Sequence, residues 1–415
     1  MSLLANTLCL LLFFSSSVLR VAQGSSRGSL GRKNGATTFP PSLLGDDGIC
    51  ASSVVIHGYK CQELQVTTAD GYILSVQRIP EGRSGNGNNQ TKQPVILQHG
   101  ILVDGAQWLL NGPEQNLPLI LADNGFDVWI SNTRGTRFSR RHTSLDPSSK
   151  AYWDWSWDEL ASYDVPAVVE YVSSQTGQKP HYVGHSLGTL TVLASFSEGK
   201  LVNQLKSAAL LSPIAYLSHL TTQLLDVAAK FYLDEFIRIF GISEFVPKGI
   251  PVQAFLKLVC THPGVDCYDL LPVITGKNCC LNSSTIELLL KNAPQSTASK
   301  NLVHLAQTIR SGVLAKYNYV RPDYNFMHYG EASPPVYNLS NIPHDLPLFL
   351  SYGARDALSD VVDVQTLLDS LKSHDADKLS VHFIKDYAHL DFVMGVNAKD
   401  VVYNAVISFF NRQFN

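Results

Sequence analysis

Gly184-His185-Ser186-Leu187-Gly188 is a G-x-S-x-G pentapeptide, and its flanks decide whether it can do chemistry. Pro180-His181-Tyr182-Val183 before it is a strand candidate, and Leu187 to Ala194 after it begin a helix. That strand, turn and helix is the setting a nucleophile elbow requires. A turn sharp enough to lift the Ser186 hydroxyl clear of a sheet forces strained dihedrals on the serine. It also brings neighbouring backbones so close that side chains at 184 and 188 would clash, which explains the two glycines.

A serine hydroxyl is a poor nucleophile at neutral pH, so a base and an orienting acid must follow it, in the order Ser, Asp or Glu, His. Pro347 to Tyr352 read as a late strand running into Gly353-Ala354-Arg355-Asp356, which puts the Asp356 carboxylate at a strand's C-terminal end. The next strand candidate, Val381 to Ile384, leads through Asp386 and Tyr387 to His389. Of thirteen histidines, His389 alone lies just past the last strand candidate and after a suitable acid. His185 points elsewhere on a sharp turn, while His374 and His382 fall on a helix end and in a strand. Asp360, Asp386 and Asp391 are the rivals to Asp356, at a helix start or beside the histidine. A developing oxyanion needs two N–H donors. One is the backbone of Leu187; the other comes from the Gln98-His99-Gly100-Ile101-Leu102 turn, where position favours Ile101 and Gly100 competes. His99 reads as a residue that stabilises this turn.

The elements that position these groups follow from periodicity. Val54 to Thr68 and Tyr72 to Ile79, parted by Ala69-Asp70-Gly71, read as a hairpin. Val95–Leu97, Phe126–Ile130, His181–Val183, Ala208–Leu211, Leu348–Tyr352 and Val381–Ile384 are short apolar runs of buried-strand type, and Leu160–Val172 and Leu187–Phe196 carry helical spacing between them. Alternation of this kind predicts an α/β layer fold with a mostly parallel central sheet. From Pro213 to about Pro335 the rhythm breaks into helix-like pieces, Leu220–Phe240, Ala254–Cys260, Ile286–Lys291 and Leu302–Leu314. So long an insertion between two strands reads as a helical cap, whose inner face could accept acyl chains or merely seal its own core. Asn132-Thr133-Arg134-Gly135 is read as a structural turn, and Trp153, Trp155 and Trp157 as buried packing.

Composition bounds the alternatives. Across 415 residues, 32 Lys+Arg against 35 Asp+Glu leave a net charge of -3, without the basic face a nucleic-acid partner needs. Leu8 to Phe14 form an apolar run, flanked by Leu3, Leu4, Val18 and Leu19, that is too short to span a bilayer and is followed by Ala22-Gln23-Gly24, so residues 1–24 read as a cleaved secretory signal and the mature chain is expected to carry no transmembrane anchor. Residues 25–48 read as a loose N-terminal arm. Six cysteines remain after the signal, Cys50, Cys61, Cys260, Cys267, Cys279 and Cys280, an even number suited to an oxidising compartment. Adjacent Cys279 and Cys280 are expected to seek different partners, since a bridge between neighbours is strained. Cys260, His262 and Cys267 could be zinc ligands, but no C-x-x-C pair accompanies them and no metal site is expected. Sequons at Asn89, Asn282 and Asn338 would mark glycosylated loops.

Several pieces jointly resemble the acid lipase family of α/β-hydrolases, which includes gastric, lysosomal and plant triacylglycerol lipases. They are Gly58-Tyr59-Lys60-Cys61, Asp70-Gly71-Tyr72-Ile73-Leu74, Leu97-Gln98-His99-Gly100, Asn132-Thr133-Arg134-Gly135, Gly184 to Thr189 and His389-Leu390-Asp391-Phe392. The resemblance implies an α/β-hydrolase core in two parts, residues 49–212 and 336–415, with the cap at 213–335. It implies Ser186, Asp356 and His389 as a triad, backbone donors at Ile101 and Leu187, a lipid ester substrate and no cofactor. Leu187 departs from the animal members, which carry Gln there; a backbone donor survives that change, but substrate preference need not. The expected reaction is hydrolysis of acylglycerol esters outside the cell or in a vacuolar or lysosomal lumen. Sterol esters, phospholipids and small esters are the alternative substrates, acyl transfer an alternative reaction, and non-catalytic lipid binding a different class of function.

Overall fold

Each strand run places alternate side chains in two different cores, which is why the sheet is buried on both faces. Ile96, Trp129, Tyr182 and Leu210 pack into one cluster, and their neighbours Leu97, Ile130, Val183 and Leu211 into the other. This is a computed structural model, and it describes residues 48–84, 91–246, 259–260 and 270–414. The signal and arm expected at 1–48, all but its last residue, and the sequon at Asn89, lie outside the described residues.

The strands are β1 (Gln62–Thr67), β2 (Tyr72–Ile79), β3 (Pro94–Gln98), β4 (Asp127–Ser131), β5 (Arg141–His142), β6 (His181–His185), β7 (Ser207–Leu211), β8 (Glu244–Phe245), β9 (Thr297–Ala298), β10 (Leu348–Gly353) and β11 (Leu379–Ile384). Nine form one sheet in the order β1-β2-β4-β3-β6-β7-β10-β11, with β5 pairing β2. From β4 to β11 all neighbours are parallel, and β1, β2 and β5 form an antiparallel edge. The C-terminal ends of β3, β6, β10 and β11 therefore open on one side, where parallel sheets place their sites. Helices α1 (Leu117–Asp123), α2 (Val165–Thr176), α3 (Leu187–Ser197), α10 (Val361–Ser370) and α11 (Asn404–Asn411) cover the sheet.

The expected strand from Val54 is shorter than its apolar content suggests. Residues Val55–His57 make a 3-10 turn that ends at Gly58 with φ +83, and Cys50 bridges to Cys61, so extended pairing starts only at Gln62. A wide π-helical turn at Leu160–Asp164 precedes α2 and carries Asp164 inward. It is there for Arg134, a fully buried cation held by Asp164 and Asp70 and lying 3.8 Å over the Tyr72 ring. Arg134 thus ties the β1–β2 turn to α2, the structural part expected of Asn132–Gly135. Trp153, Trp155 and Trp157 are buried, as expected.

Between Pro213 and Pro335 the described elements are α4 (Gln223–Val227), α5 (Leu233–Phe240), α6 (Leu270–Thr275), α7 (Ser283–Asn292), α8 (Ser299–Ser311), α9 (Pro322–Tyr329) and the small ribbon β8–β9. The expected piece Ala254–Cys260 lies outside the described residues except for its last two. Helices α6 and α9 were not foreseen: α6 is only six residues long, and α9 presents Tyr324, Phe326 and Met327 to solvent, so neither has a repeating buried stripe to read.

One expectation fails outright. Cys279 and Cys280 are bonded to each other. Both of their backbone N–H groups donate to the Asp391 carboxylate, at 3.1 and 3.0 Å, and this fixes the turn in which neighbouring sulfurs meet. The strain argument left out a partner able to hold both N–H groups. Cys260 is also disulfide-bonded, as export would have it.

Candidate active site

The sharp turn after β6 holds Ser186 at φ 56 and ψ -121, backbone that an L residue adopts only under constraint and that costs on the order of 1–3 kcal/mol. The constraint is close backbone contact. A Cβ on Gly184 would sit 2.8 Å from the Gly188 carbonyl, and one on Gly188 would sit 2.6 Å from the Gln98 carbonyl of β3. Ser186 N–H donates to Leu211 of β7 at 3.2 Å, so the two strands flanking β6 fix the elbow from both sides.

Gly100 packs against it, and a Cβ there would lie 3.0 Å from Ser186 Cβ. His99 shapes this turn. Its Nδ1 donates to the Gly100 carbonyl at 2.7 Å and its Nε2 accepts from Thr133 N–H at 3.1 Å, so the ring is neutral and both nitrogens are occupied. Burial pushes its pKa down to about 4, in keeping with a structural part. The turn leaves Leu102 at φ 60 and brings Ile101 and Leu187 to the same cavity as Ser186. Neither the Ile101 nor the Leu187 N–H donates to any acceptor of the described chain, the condition an oxyanion would require of its donors.

On the other side, His389 Nδ1 lies 3.0 Å from each Asp356 oxygen. Burial raises the Asp356 carboxyl, but the His389 ring and the N–H groups of Ser359 and Leu358 outweigh it and hold the acid below its usual range. The His389 carbonyl accepts from His185 Nε2 at 2.9 Å, so the residue before the serine is bonded to the loop that carries the imidazole. His185 is thus used up as a strut. Burial, with His389 beside it, pushes its pKa down to about 3. No hydrogen bond joins Ser186 Oγ to the His389 ring, and bonds of this kind often tighten only when a reacting carbonyl is engaged. The rival acids are spoken for. Asp360 caps α10, Asp386 pairs with Arg355 at the surface, and Asp391 accepts backbone N–H groups. His374 bonds Leu346 and His382 bonds Ser351, both away from the serine.

Above Ser186 opens a cavity of about 500 Å³. Ser186 and Thr275 are the only polar residues among its described lining; most of the rest come from the insertion, such as Leu224 on α4, Ala229 in the π-helical turn Ala228–Tyr232 that joins α4 to α5, and Leu302 and Ile309 on α8. Sequence reasoning missed how closely the insertion meets the candidate base. Thr275 accepts the His389 N–H at 3.1 Å, and Asn278 accepts that of Leu390 at 3.0 Å. Nothing in the local sequence of either residue signals those bonds.

The sequence and the fold have counterparts among known proteins. A family model for the "alpha/beta hydrolase fold" matches residues 93–395, and a "partial alpha/beta-hydrolase lipase region" matches residues 50–112. The chain belongs to the α/β-hydrolase family. It is similar to triacylglycerol lipase 2 of Arabidopsis thaliana, 60% identical over 98% of this chain and 96% of that protein. It is also similar to human gastric triacylglycerol lipase, 36% identical over 85% of this chain and 88% of that one, and these relatives put this α/β-hydrolase in the acid lipase group. Among solved structures, a yeast monoglyceride lipase shares the fold with a TM-score of 0.56 over 86% of this chain and 98% of that one, at 13% identity.

Proposed function

We propose that this carboxylic ester hydrolase is a secretory-pathway serine lipase that cleaves acylglycerols. Ser186 Oγ attacks the ester carbonyl while His389 takes its proton; Asp356 orients the imidazole and stabilises its cation. The N–H groups of Ile101 and Leu187 meet the tetrahedral oxygen, and the glyceride alcohol leaves with the proton from His389. Water then attacks the acyl-enzyme by the same relay and releases the fatty acid. No step calls on a metal or organic cofactor.

The observation that carries this reading is the cavity whose floor holds the constrained Ser186 turn and whose walls, Thr275 apart, offer acyl chains only apolar side chains among the described lining. The names of the relatives support the substrate class. The disulfides at Cys50–Cys61 and Cys279–Cys280 support passage through an oxidising compartment. Asn282 and Asn338, both exposed, are the glycan acceptors this route would use. No helix among the described residues is long and apolar enough to cross a membrane.

Ser186→Ala is the test. Hydrolysis of emulsified triacylglycerol should fall by several powers of ten with the fold intact. Retention of ester hydrolysis by that variant would remove the triad reading. A wild-type preference for short soluble esters or sterol esters over emulsified triacylglycerol would remove the lipase reading and leave the hydrolase.

A further inference from the structure

Asp391 is a buried carboxylate two residues beyond the candidate base, and the mechanism above gives it no task. It pairs with no cation among the described residues, and burial, with the nearby Asp356 charge adding to it, raises its carboxyl. Its oxygens accept three backbone N–H groups instead. Ala388 donates at 2.8 Å from the loop that carries His389, and Cys279 and Cys280 donate at 3.1 and 3.0 Å from the insertion.

The segment from Thr275 to Leu281 is laid across both loops of the acid and base. Gly276 bridges Asp356 and Leu281 bridges Gly395 in antiparallel fashion. Thr275 accepts the His389 N–H, Asn278 accepts the Leu390 N–H, and Val396 N–H donates to the Cys280 carbonyl at 2.8 Å. At Gly276, with φ +85, a Cβ would lie 2.0 Å from the Arg355 carbonyl, so the strap touches the acid loop backbone to backbone. Three N–H groups from two distant stretches of chain meet in one carboxylate, which is where this strap is fastened to the His389 loop.

We infer that Asp391 is a positioning residue: it fastens the Thr275–Leu281 strap to the His389 loop and so sets the angle at which the imidazole faces Ser186 and Asp356. The inference rests on the triad reading and gives the insertion a second task beside walling the cavity, since it aims the base. An amide at 391 keeps the shape but offers one acceptor oxygen where the carboxylate offers two, and turns N–H donors toward N–H donors. A misplacement of about 1 Å remote from the chemistry can cost about 10²-fold in rate.

The experiment compares full-length, oxidised wild type with Asp391→Asn and Asn278→Ala on a soluble ester, counting sites by the final stoichiometry of a fluorophosphonate probe. Asp391→Asn should lose about 10²-fold in kcat per labelled site. Its KM should change little, because Asp391 does not line the cavity and Thr275 is the one strap residue that does, and the rate of fluorophosphonate labelling should fall by the same factor as kcat. Asn278→Ala removes the acceptor of the Leu390 N–H together with two donations inside the strap, to Thr275 and Gly276, but leaves the Asp391 fastening in place, so it should lower kcat less, with the same unchanged KM; it decides the matter if Asp391→Asn does not fold. Normal kcat per site and normal labelling rate in a folded Asp391→Asn, even with a lowered melting temperature, would overturn the positioning role. If Asp391→Asn does not fold, normal values in Asn278→Ala would do so. Activity in Ser186→Ala would instead overturn the triad reading beneath it, so the two failures are distinguishable.

Discussion

Ser186 and its flanking glycines are fixed chiefly by backbone packed on backbone, whereas the loop that carries His389 is fixed by hydrogen bonds drawn from an insertion more than a hundred residues long. The elbow is local: a Cβ at Gly184 or Gly188 would lie within 3 Å of the Gly188 or Gln98 carbonyl, the Ser186 N–H is bonded to Leu211 of β7, and the side chains that brace it, Tyr182 on the Gly188 carbonyl and Thr189 on the Ser186 carbonyl, are within a few residues along the chain. The loop of the proposed base depends on Thr275, Asn278 and Asp391, polar groups that meet only when the chain is folded. Steric restraint is encoded in residue type and spacing, while long-range polar restraint is encoded in partners.

The largest effect expected on the elbow side comes from behind it. Arg134 is buried between Asp164 and Asp70, and its neighbour Thr133 holds His99 in the Gly100 turn. Arg134→Met leaves Asp164 buried without its cation, a loss of about 3–5 kcal/mol. Chemical denaturation measures it. A loss below about 1 kcal/mol would mean that packing alone holds this half, a sharper contrast than the one drawn here.

Two glycine variants set the halves against each other. Gly188→Ala drives a Cβ into the Gln98 carbonyl between paired strands that cannot part, and overpacking of this kind costs about 1–3 kcal/mol or more. It should lower stability and activity together. Gly276→Ala pushes the strap off the Arg355 carbonyl at a loop, where the chain can yield, so activity should fall further than stability does. Equal ratios of activity loss to stability loss in the two variants would erase the distinction.

That contrast also explains what could be read from the sequence. The strands β3, β4, β6, β7, β10 and β11 were legible because each is a short apolar run between turn residues, and their order along the chain put Ser186, Asp356 and His389 past strand ends. The elbow was legible because only glycine fits at 184 and 188. The part played by Asp391 was not, since a carboxylate beside a histidine reads as a rival acid until its N–H donors are known. For the same reason the Cys279–Cys280 bond was missed. Residues 54–61 were misread because their apolar content is packed by a turn and the Cys50–Cys61 bond in place of a strand.

Acid should also separate the halves. His99 has its pKa lowered by burial from 6.5 to about 4, and His185 from 6.5 to about 3. Between those values the unfolded chain binds protons the folded chain does not, so the stability these residues contribute is present above pH 6.5 and is lost as pH falls toward 4. Asp356 is lowered too, but as an acid its contribution persists until pH falls through its folded value, below the usual carboxylate range. Urea midpoints taken from pH 7 to pH 4 should therefore decline, and His99→Gln should flatten the decline. A variant that leaves the slope unchanged would show that the elbow side is not the acid-sensitive one.

The smallest effect is expected where a backbone group does the chemistry and a side chain lines the cavity. In the proposed mechanism Leu187 offers its N–H to the oxyanion, while its side chain lines the apolar wall, and the two can be separated by Leu187→Gln. The donor is a property of the turn, which Gln does not alter, so kcat on a short ester should stay within about a factor of ten of wild type, a change of ~1.4 kcal/mol or less in the barrier. The amide does intrude on the acyl wall, so KM for long-chain substrates should rise more than KM for short ones. A chain-length series measures both. If kcat on short esters instead collapses, the side chain at 187 is helping to hold the elbow, and steric restraint there extends beyond backbone to the first residue of α3.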